Sequence, residues 1–291
     1  MTKSAYYKRH LSRSALLAIL CVMPALSWAA TATDSGSESR VAAAASSDSS
    51  RWDAISQQLF NDRVIHEGTS SISLEAPVRA FDSARVPVVI RAITPQSKSD
   101  YVKTLWLIVD KNPLPVAGTF HFEPNNGWDT IDTELRVNEY TNVRVVAERN
   151  DGSLHMAAAF VKAAGGCSAP PSSYERSNAT LLGNFNGGID QFLDPKVPAV
   201  ARIRITHPNA SGMQFDQFSR TYIPAQYIHT LGAELNGELL FTVDTNFSFS
   251  QDPVLGFNFK PESDGELTFY ALDSENRRFQ KSWPVKVSQT N

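Results

Sequence analysis

The residue with the clearest chemical potential is Cys167. It follows Gly165 and Gly166 and is followed by Ser168-Ala169-Pro170-Pro171. A cysteine thiolate is a strong nucleophile and can hold a covalent adduct. Glycines reach backbone angles closed to other residues and add no side-chain bulk, so they predict an arm that could carry the thiol into a narrow active site on another protein. Lys162 is the only nearby charge in the sequence, and the local sequence therefore predicts no strong lowering of the thiol pKa.

The N-terminus determines how many cysteines the working protein keeps. Residues 1–13 contain four basic residues and no acid, an apolar run extends from Ala15 to Leu26, and Ser27-Trp28-Ala29 follows. About 12 apolar residues are too few to span a bilayer core, which needs roughly 20. The pattern predicts a secretory signal peptide over residues 1–29, cleaved after Ala29, and hence a periplasmic protein with no membrane span.

Cleavage at that point changes both the charge and the cysteine count. The whole chain has 27 basic and 30 acidic residues, and removal of four basic residues leaves 23 against 30, a net charge of −7. Cys21 is removed as well, so Cys167 is the single cysteine of the predicted mature chain. A single thiol cannot form an internal disulfide, and it is therefore either buried and inert or chemically used.

Other kinds of functional site have little support in the sequence. No two of the histidines have metal-ligand spacing, so neither a metal site nor a cofactor is predicted. His121 and His155 are predicted to be solvated, and His207, next to Pro208, to make a turn contact. No serine-hydrolase elbow, phosphate loop or dinucleotide fingerprint occurs, and residues 183–188 are interpreted as a loop. An isoelectric point of about 6.1 gives no indication of nucleic-acid binding.

A helix and a series of strands must position the cysteine. Residues 30–50 are rich in serine and alanine and are predicted to be a flexible leader. A helix is predicted from about Ser50 to a point before Gly68, with Trp52, Ile55 and Leu59 on one packing face. From about residue 71 the apolar residues alternate with a period of two, and 102–109 is apolar on both faces, as in a central strand.

The strand patterns divide into two domains. About seven strands over residues 51–167 predict an immunoglobulin-like sandwich. The small residues and prolines around Cys167 predict a domain boundary, with a linker over residues 168–195. A second, smaller sandwich is predicted over residues 196–291, with an Asn236-Gly237 hairpin. The fold class is therefore all-β, with two sandwiches in tandem after an N-terminal helix.

Motifs in both halves resemble a known pair of families. The first half is similar to SoxY and the second to SoxZ, and the resemblance covers residues 52–287. The SoxY-like motifs are Leu74-Glu75-Ala76-Pro77, Val86-Pro87-Val88, Val109-Asp110-Lys111-Asn112-Pro113, Phe160-Val161-Lys162-Ala163 and Gly165-Gly166-Cys167. The SoxZ-like motifs are Ile205-Thr206-His207-Pro208, Ser211-Gly212-Met213, Ile223-Pro224-Ala225, Asp252-Pro253 and Phe257-Asn258-Phe259. The arrangement resembles the fused SoxYZ-like carriers that are associated with quinoprotein dehydrogenases.

The resemblance implies a role for Cys167. In these families the SoxY cysteine holds a sulfur substrate covalently while partner enzymes act on it, and the SoxZ domain supports the carrier. It implies immunoglobulin-like folds and intramolecular pairing of the two domains. The implied partners are periplasmic redox enzymes, either Sox-type enzymes or a quinoprotein dehydrogenase, with cytochrome c. The chain itself is then a carrier rather than an enzyme.

One departure from the SoxY pattern keeps a second hypothesis open. SoxY ends in Gly-Gly-Cys-Gly-Gly, whereas here the chain continues through Ser168 and Pro170 into the second domain. The thiol is therefore expected on a loop held at both ends. The alternative function is a non-covalent accessory module of a quinoprotein dehydrogenase, and a third is an independent thiol enzyme. Fusion raises the effective concentration of the two domains, to about millimolar for a short linker.

Overall fold

The computed structural model describes residues 49–68, 70–124, 127–170, 181–189 and 197–287. The predicted signal peptide, residues 1–29, lies outside the described residues, as does the predicted leader up to residue 48. The described residues all belong to one compact unit. No helix in the described ranges is long and apolar enough to cross a membrane.

The N-terminal helix, α1, covers residues 49–60 and packs on the outside of a sheet. Its buried Ile55 and Phe60 contact a small apolar cluster that includes Ile108 and Met156. The helix ends before Gly68, as predicted, at the point where Asn61 adopts a left-handed backbone conformation with φ of 52°.

Seventeen strands contain about half of the described residues. They are β1 (Ile65–Glu67), β2 (Ile72–Glu75), β3 (Val86–Ala92), β4 (Val102–Val109), β5 (Val116–Phe122), β6 (Thr130–Leu135), β7 (Thr141–Arg149), β8 (Leu154–Val161), β9 (Phe185–Ile189), β10 (Ala199–Ile205), β11 (Phe215–Asp216), β12 (Thr221–Tyr222), β13 (Ile228–Leu235), β14 (Glu238–Thr245), β15 (Val254–Phe259), β16 (Gly265–Asp273) and β17 (Arg278–Val285).

The predicted fold class is confirmed, and most strands lie where the alternating patterns placed them. The predicted central strand 102–109 coincides with β4. Asn236 and Gly237 both have positive φ values, 54° and 81°, as the predicted β13–β14 hairpin requires. The interpretation of residues 183–188 as a loop is wrong, because β9 pairs there with β10 from Phe185 to Ile189.

The two halves of the chain share both sheets. The nine-stranded sheet has the order β1-β8-β7-β4-β5-β14-β13-β16-β17, and the six-stranded sheet has the order β2-β3-β6-β15-β10-β9. Strand β5 pairs with β14, and β6 pairs with β15, so each sheet continues from the first half into the second. One hydrophobic cluster accordingly fills the space between the sheets in both halves.

Charged residues also join the halves on the outer face of the six-stranded sheet. Arg202 on β10 forms an ion pair with Asp132 on β6, and Arg204 lies 3.8 Å from Glu134. The Arg202–Asp132 pair reaches across β15 at Gly256, where a Cβ atom would collide with the Asp132 carboxylate. The missing side chain at this position therefore leaves room for an ion pair between the two halves.

Candidate functional site around Cys167

The segment that carries Cys167 folds back on the first half of the chain. We call residues 162–170, which follow β8, the arm. The Gly165 N–H donates a hydrogen bond to the Asn138 carbonyl at 2.8 Å, and the Gly166 N–H donates to the Val137 carbonyl at 3.0 Å. The Ser168 N–H donates to the Gly165 carbonyl at 3.2 Å, which closes a turn around the cysteine. The arm is therefore held by backbone hydrogen bonds to the loop that follows β6.

The two glycines of the arm have different structural roles. Gly165 has a φ of 77°, in the left-handed region that favours glycine, and no atom approaches its Cβ position closer than 4.0 Å. At Gly166 a Cβ atom would lie 2.7 Å from the Val137 carbonyl oxygen and closer still to the Ser83 carbonyl oxygen. Gly165 is needed for its backbone angle, whereas Gly166 is needed for close backbone packing.

Side chains of the second half fasten the other side of the arm. The Ser211 hydroxyl donates a 2.5 Å hydrogen bond to the Cys167 carbonyl. The Gln214 side-chain amide donates a 3.1 Å hydrogen bond to the Ala169 carbonyl. Both donors are buried, so the arm is fixed between the two halves.

Arg136 connects the arm to both halves from within. Its side chain is 1% exposed. The guanidinium donates to the Gly166 carbonyl at 3.2 Å and to the Asn209 carbonyl, in the second half, at 3.4 Å. A buried cation therefore lies beside the cysteine and binds two carbonyl groups that would otherwise lose their partners.

The Cys167 thiol is buried in this arrangement. Its residue is 0% exposed and forms no disulfide. Burial raises the pKa of the thiol to about 11 because it disfavours the charged form, and the nearby Arg136 cation offsets only part of that rise. The arm is closed in this conformation, because hydrogen bonds from Ser211, Gln214 and Arg136 hold it between the two halves.

Burial predicts slow reaction of the thiol with alkylating reagents. At pH 8 a thiol of pKa about 11 is ~0.1% ionised, and one at the ordinary value of 9.0 is ~10% ionised. We expect iodoacetamide to modify Cys167 at least ~100-fold more slowly in the folded protein than in urea, because the thiolate is the reacting form. Quenched alkylation followed by mass spectrometry measures both rates. Equal rates would contradict the closed arm.

The same pKa predicts a loss of stability at alkaline pH. Below pH 9 the thiol is protonated in both the folded and the unfolded chain, so this residue makes its full contribution to the free energy of unfolding. Between pH 9 and 11 only the unfolded chain ionises, and this residue's contribution to the unfolding free energy falls by up to ~3 kcal/mol. Urea denaturation at pH 8 and pH 10.5 measures the loss. The Cys167→Ser variant should lack this part of the pH dependence.

His121, His155 and His207 have separate surroundings in the described residues. His207 is buried, and burial lowers its pKa to about 4. Its neutral Nδ1 accepts the Asn209 N–H at 3.0 Å, which confirms the predicted turn contact, and its Nε2 lies 3.4 Å from Asp273. His121 is half-exposed, as predicted, and His155 is only partly exposed beside His66. Within the described residues, no three potential ligands are grouped as a metal site requires.

Several residues of the site were not apparent from the sequence. Arg136 lies 30 residues before Gly166, and Ser211 lies 44 residues after Cys167. Ser211 belongs to a motif that resembles SoxZ, and this is the only signal that singled it out. Arg136 and Gln214 had no such signal, because only the fold brings them to the arm.

The fold and the arm define a class of protein: an immunoglobulin-like all-β protein that encloses a glycine–cysteine arm between its two halves. Comparison with protein families gives two matches. Residues 56–167 match the sulfur oxidation protein SoxY, and residues 195–284 match the sulphur oxidation protein SoxZ. The chain therefore contains a SoxY domain and a SoxZ domain, both of sulfur oxidation families, fused in one polypeptide. The SoxY match ends on Cys167 itself.

Solved structures show more distant similarity. The sulfur carrier protein SoxY from Chlorobium limicola f thiosulfatophilum is 24% identical, with a TM-score of 0.34, and the match covers 40% of this chain and 94% of that one. A superoxide reductase (neelaredoxin) from Ignicoccus hospitalis is 16% identical, with a TM-score of 0.28, over 32% of this chain and 79% of that one. A search of the curated proteins finds no match. The family assignment rests on the two family matches.

Proposed function

We propose that the protein is a periplasmic carrier that holds a sulfur-containing adduct on Cys167 and presents it to partner redox enzymes. The observation that carries this proposal is the position of Cys167, which is the last residue of the SoxY match and lies between the two domains. The predicted signal peptide supports the periplasmic location. The carrier passes the adduct between enzymes and does not itself catalyse a reaction.

Loading of the carrier is an oxidation. The Cys167 thiol loses its proton, and its sulfur forms an S–S bond with the terminal sulfur of a thiosulfate-type dianion. One proton and two electrons leave, and the product is a thiosulfonate with one negative charge on the adduct. A partner oxidoreductase takes the electrons and passes them to a c-type cytochrome.

The closed arm has to open for this reaction. The fully buried Sγ leaves no path for an enzyme. Opening breaks the hydrogen bonds from Ser211 and Gln214 and those made by the two arm glycines, at a net cost of ~1 kcal/mol for each bond. Opening the arm therefore costs a few kcal/mol in total, and the free energy of binding a partner protein is large enough to offset this cost.

The carrier proposal predicts a covalent adduct on Cys167. Protein purified without reductant from cells grown on thiosulfate should show, by intact mass spectrometry, a mass increase equal to one thiosulfonate or persulfide group. Peptide mapping should place it on Cys167. A Cys167→Ser strain should lose both the adduct and thiosulfate-dependent respiration. A bare thiol in every growth condition, with full respiration in the Cys167→Ser strain, would overturn the proposal.

A second candidate function is a non-covalent accessory module of a quinoprotein dehydrogenase. The burial of Cys167 and its raised pKa favour this function, because a thiol in that state reacts slowly. In this case the two-domain sandwich itself is the binding surface. Co-purification with a dehydrogenase that persists in Cys167→Ala, together with an unmodified wild-type thiol, would favour this function over the carrier.

A further inference from the structure

The exposed aromatic side chains of the protein are gathered near the arm. Large aromatic side chains usually lie in the core or in an interface, where they contribute much of the binding energy. Within the described ranges, six are exposed, and each lies in or next to a segment that contacts the arm. They are Phe81, Tyr140, Phe160, Phe215, Phe218 and Tyr222.

Three of them belong to the SoxY domain. Phe81 lies two residues before Ser83, whose carbonyl oxygen packs against Gly166. Tyr140 lies two residues after Asn138, which accepts a hydrogen bond from the Gly165 N–H. Phe160 is the next-to-last residue of β8, which leads directly into the arm. The SoxY side of the arm therefore exposes apolar rings in three separate segments.

The other three belong to a small hairpin of the SoxZ domain. Strands β11 and β12 pair there, and the rings of Phe215 and Tyr222 meet edge to face at 5.5 Å. Phe218, in the turn, is 84% exposed. The hairpin begins directly after Gln214, which binds the Ala169 carbonyl of the arm. Both domains therefore expose aromatic rings beside the cysteine.

Cations accompany these rings and have no ion-pair partner among the described residues. Arg79 and Lys162 are partners in an isolated parallel β-bridge, so two residues of like charge lie on neighbouring segments of backbone. Such a pairing is destabilising in a free protein. Arg220 lies in the turn of the aromatic hairpin. The mature chain is predicted to carry −7, and a group of cations is therefore unusual on it.

Three acids lie in the same region, but two of them have a local structural role. Asp82 accepts the Ala84 N–H at 2.8 Å, and Asp216 accepts the Phe218 N–H at 3.0 Å. Both therefore cap turns of their own loops. Glu139 is exposed. None of these three forms an ion pair with Arg79, Lys162 or Arg220 in the described residues.

We propose that the six rings together with Arg79, Lys162 and Arg220, here called the arm-flanking surface, dock a partner protein with an apolar centre and an acidic rim. This inference rests on the proposed carrier function, because the partner has to approach the face that bears Cys167. A second copy of the chain fits poorly, since it would bring the same cations face to face. An acidic partner neutralises the Arg79–Lys162 pair, and burial of the rings supplies the free energy that opens the arm.

Photo-cross-linking in the periplasm of thiosulfate-grown cells tests the docking surface. A photoreactive phenylalanine analogue replaces Phe218, and in the control it replaces Ile93, which is 50% exposed and lies at the opposite end of β3 from Ser83. We expect Phe218 to capture a different protein, cross-linked next to acidic residues. Capture should fall about tenfold in the double variant Arg79→Glu/Lys162→Glu. The matched double variant Lys98→Glu/Lys103→Glu should capture as the wild type does.

A charge exchange decides the outcome. In this experiment the acidic residues of the partner that were cross-linked are replaced by lysine. The changed partner should again be captured by the double variant Arg79→Glu/Lys162→Glu. Cross-linking to a second copy, equal capture from Ile93, or capture unchanged by the charge reversal would each overturn the proposal. So would a charge reversal that lowers only the adduct yield, since the cations would then bind the anionic adduct. Capture should persist in the Cys167→Ser variant. The docking proposal can therefore be supported by this experiment even if the proposed carrier function is wrong.

Discussion

In a Gly166→Ala variant, we expect the arm to leave its closed position and Cys167 to become reactive in an otherwise folded protein. The added Cβ atom would lie 2.7 Å from the Val137 carbonyl oxygen and closer still to that of Ser83. Both are backbone atoms. Their two residues are also connected to each other, because the Val137 N–H donates a hydrogen bond to the Ser83 carbonyl. Relieving the collision there disrupts the ends of two strands. Opening the arm breaks only a few hydrogen bonds of ~1 kcal/mol each, so opening is the less costly response.

Alkylation of the folded variant measures this effect. At pH 8 the rate at Cys167 should rise by about 100-fold toward that of the unfolded chain. The matched control is Gly165→Ala, which strains a backbone with φ of 77° at a cost of ~1 kcal/mol but meets no close atom. Its rate should change far less. A protected thiol in Gly166→Ala, at either an unchanged or a lowered urea midpoint, would contradict the assigned role of Gly166.

The second large effect is expected at Arg136. An Arg136→Met variant keeps most of the side-chain volume but leaves the carbonyls of Gly166 and Asn209 without their donor. An unsatisfied buried acceptor costs ~1–3 kcal/mol, so we expect a loss of roughly 3 kcal/mol or more in the free energy of unfolding. Loss of the cation also raises the pKa of Cys167 further, because Arg136 lowers that pKa in the wild type.

Urea denaturation of Arg136→Met and of Arg202→Met compares a buried arginine with an exposed one. Arg202 also joins the two domains, through Asp132, but its side chain is 56% exposed. Its loss should cost at most ~1 kcal/mol, as is usual for surface ion pairs. Equal losses in the two variants would show that Arg136 is no more important than a surface pair. Alkylation at several pH values would separate the thiol pKa from the overall stability.

The strands of this protein were predictable because their environment is regular. In β3, Val86, Val88 and Ile90 face one shared core and produce an alternating pattern that the sequence alone reveals. Strand β9 was missed because Asn186, Gly187 and Gly188 have low strand propensity, and its pairing with β10 decides its conformation. Local patterns therefore predicted strands with regular apolar alternation, but not a strand whose middle residues have low strand propensity.

The position of Cys167 was predictable, but its surroundings were not. The glycine–cysteine sequence and the end of the SoxY-like pattern single out the residue. Its burial depends on Arg136, Ser211 and Gln214, which are distant in sequence and belong to two domains. Separate roles for Gly165 and Gly166 likewise follow only from the backbone angle at one and the neighbouring carbonyls at the other.

The continuity of the two sheets has a consequence for the separated halves. A SoxY half alone would expose β5 and β6 as unpaired edges, and a SoxZ half alone would expose β14 and β15. Bare edges of this kind can recruit strands from other chains and lead to aggregation. Joining both halves in one polypeptide lets each half cover the other's edges as soon as both are synthesised. The covalent link therefore acts during folding as an intramolecular safeguard against misassembly.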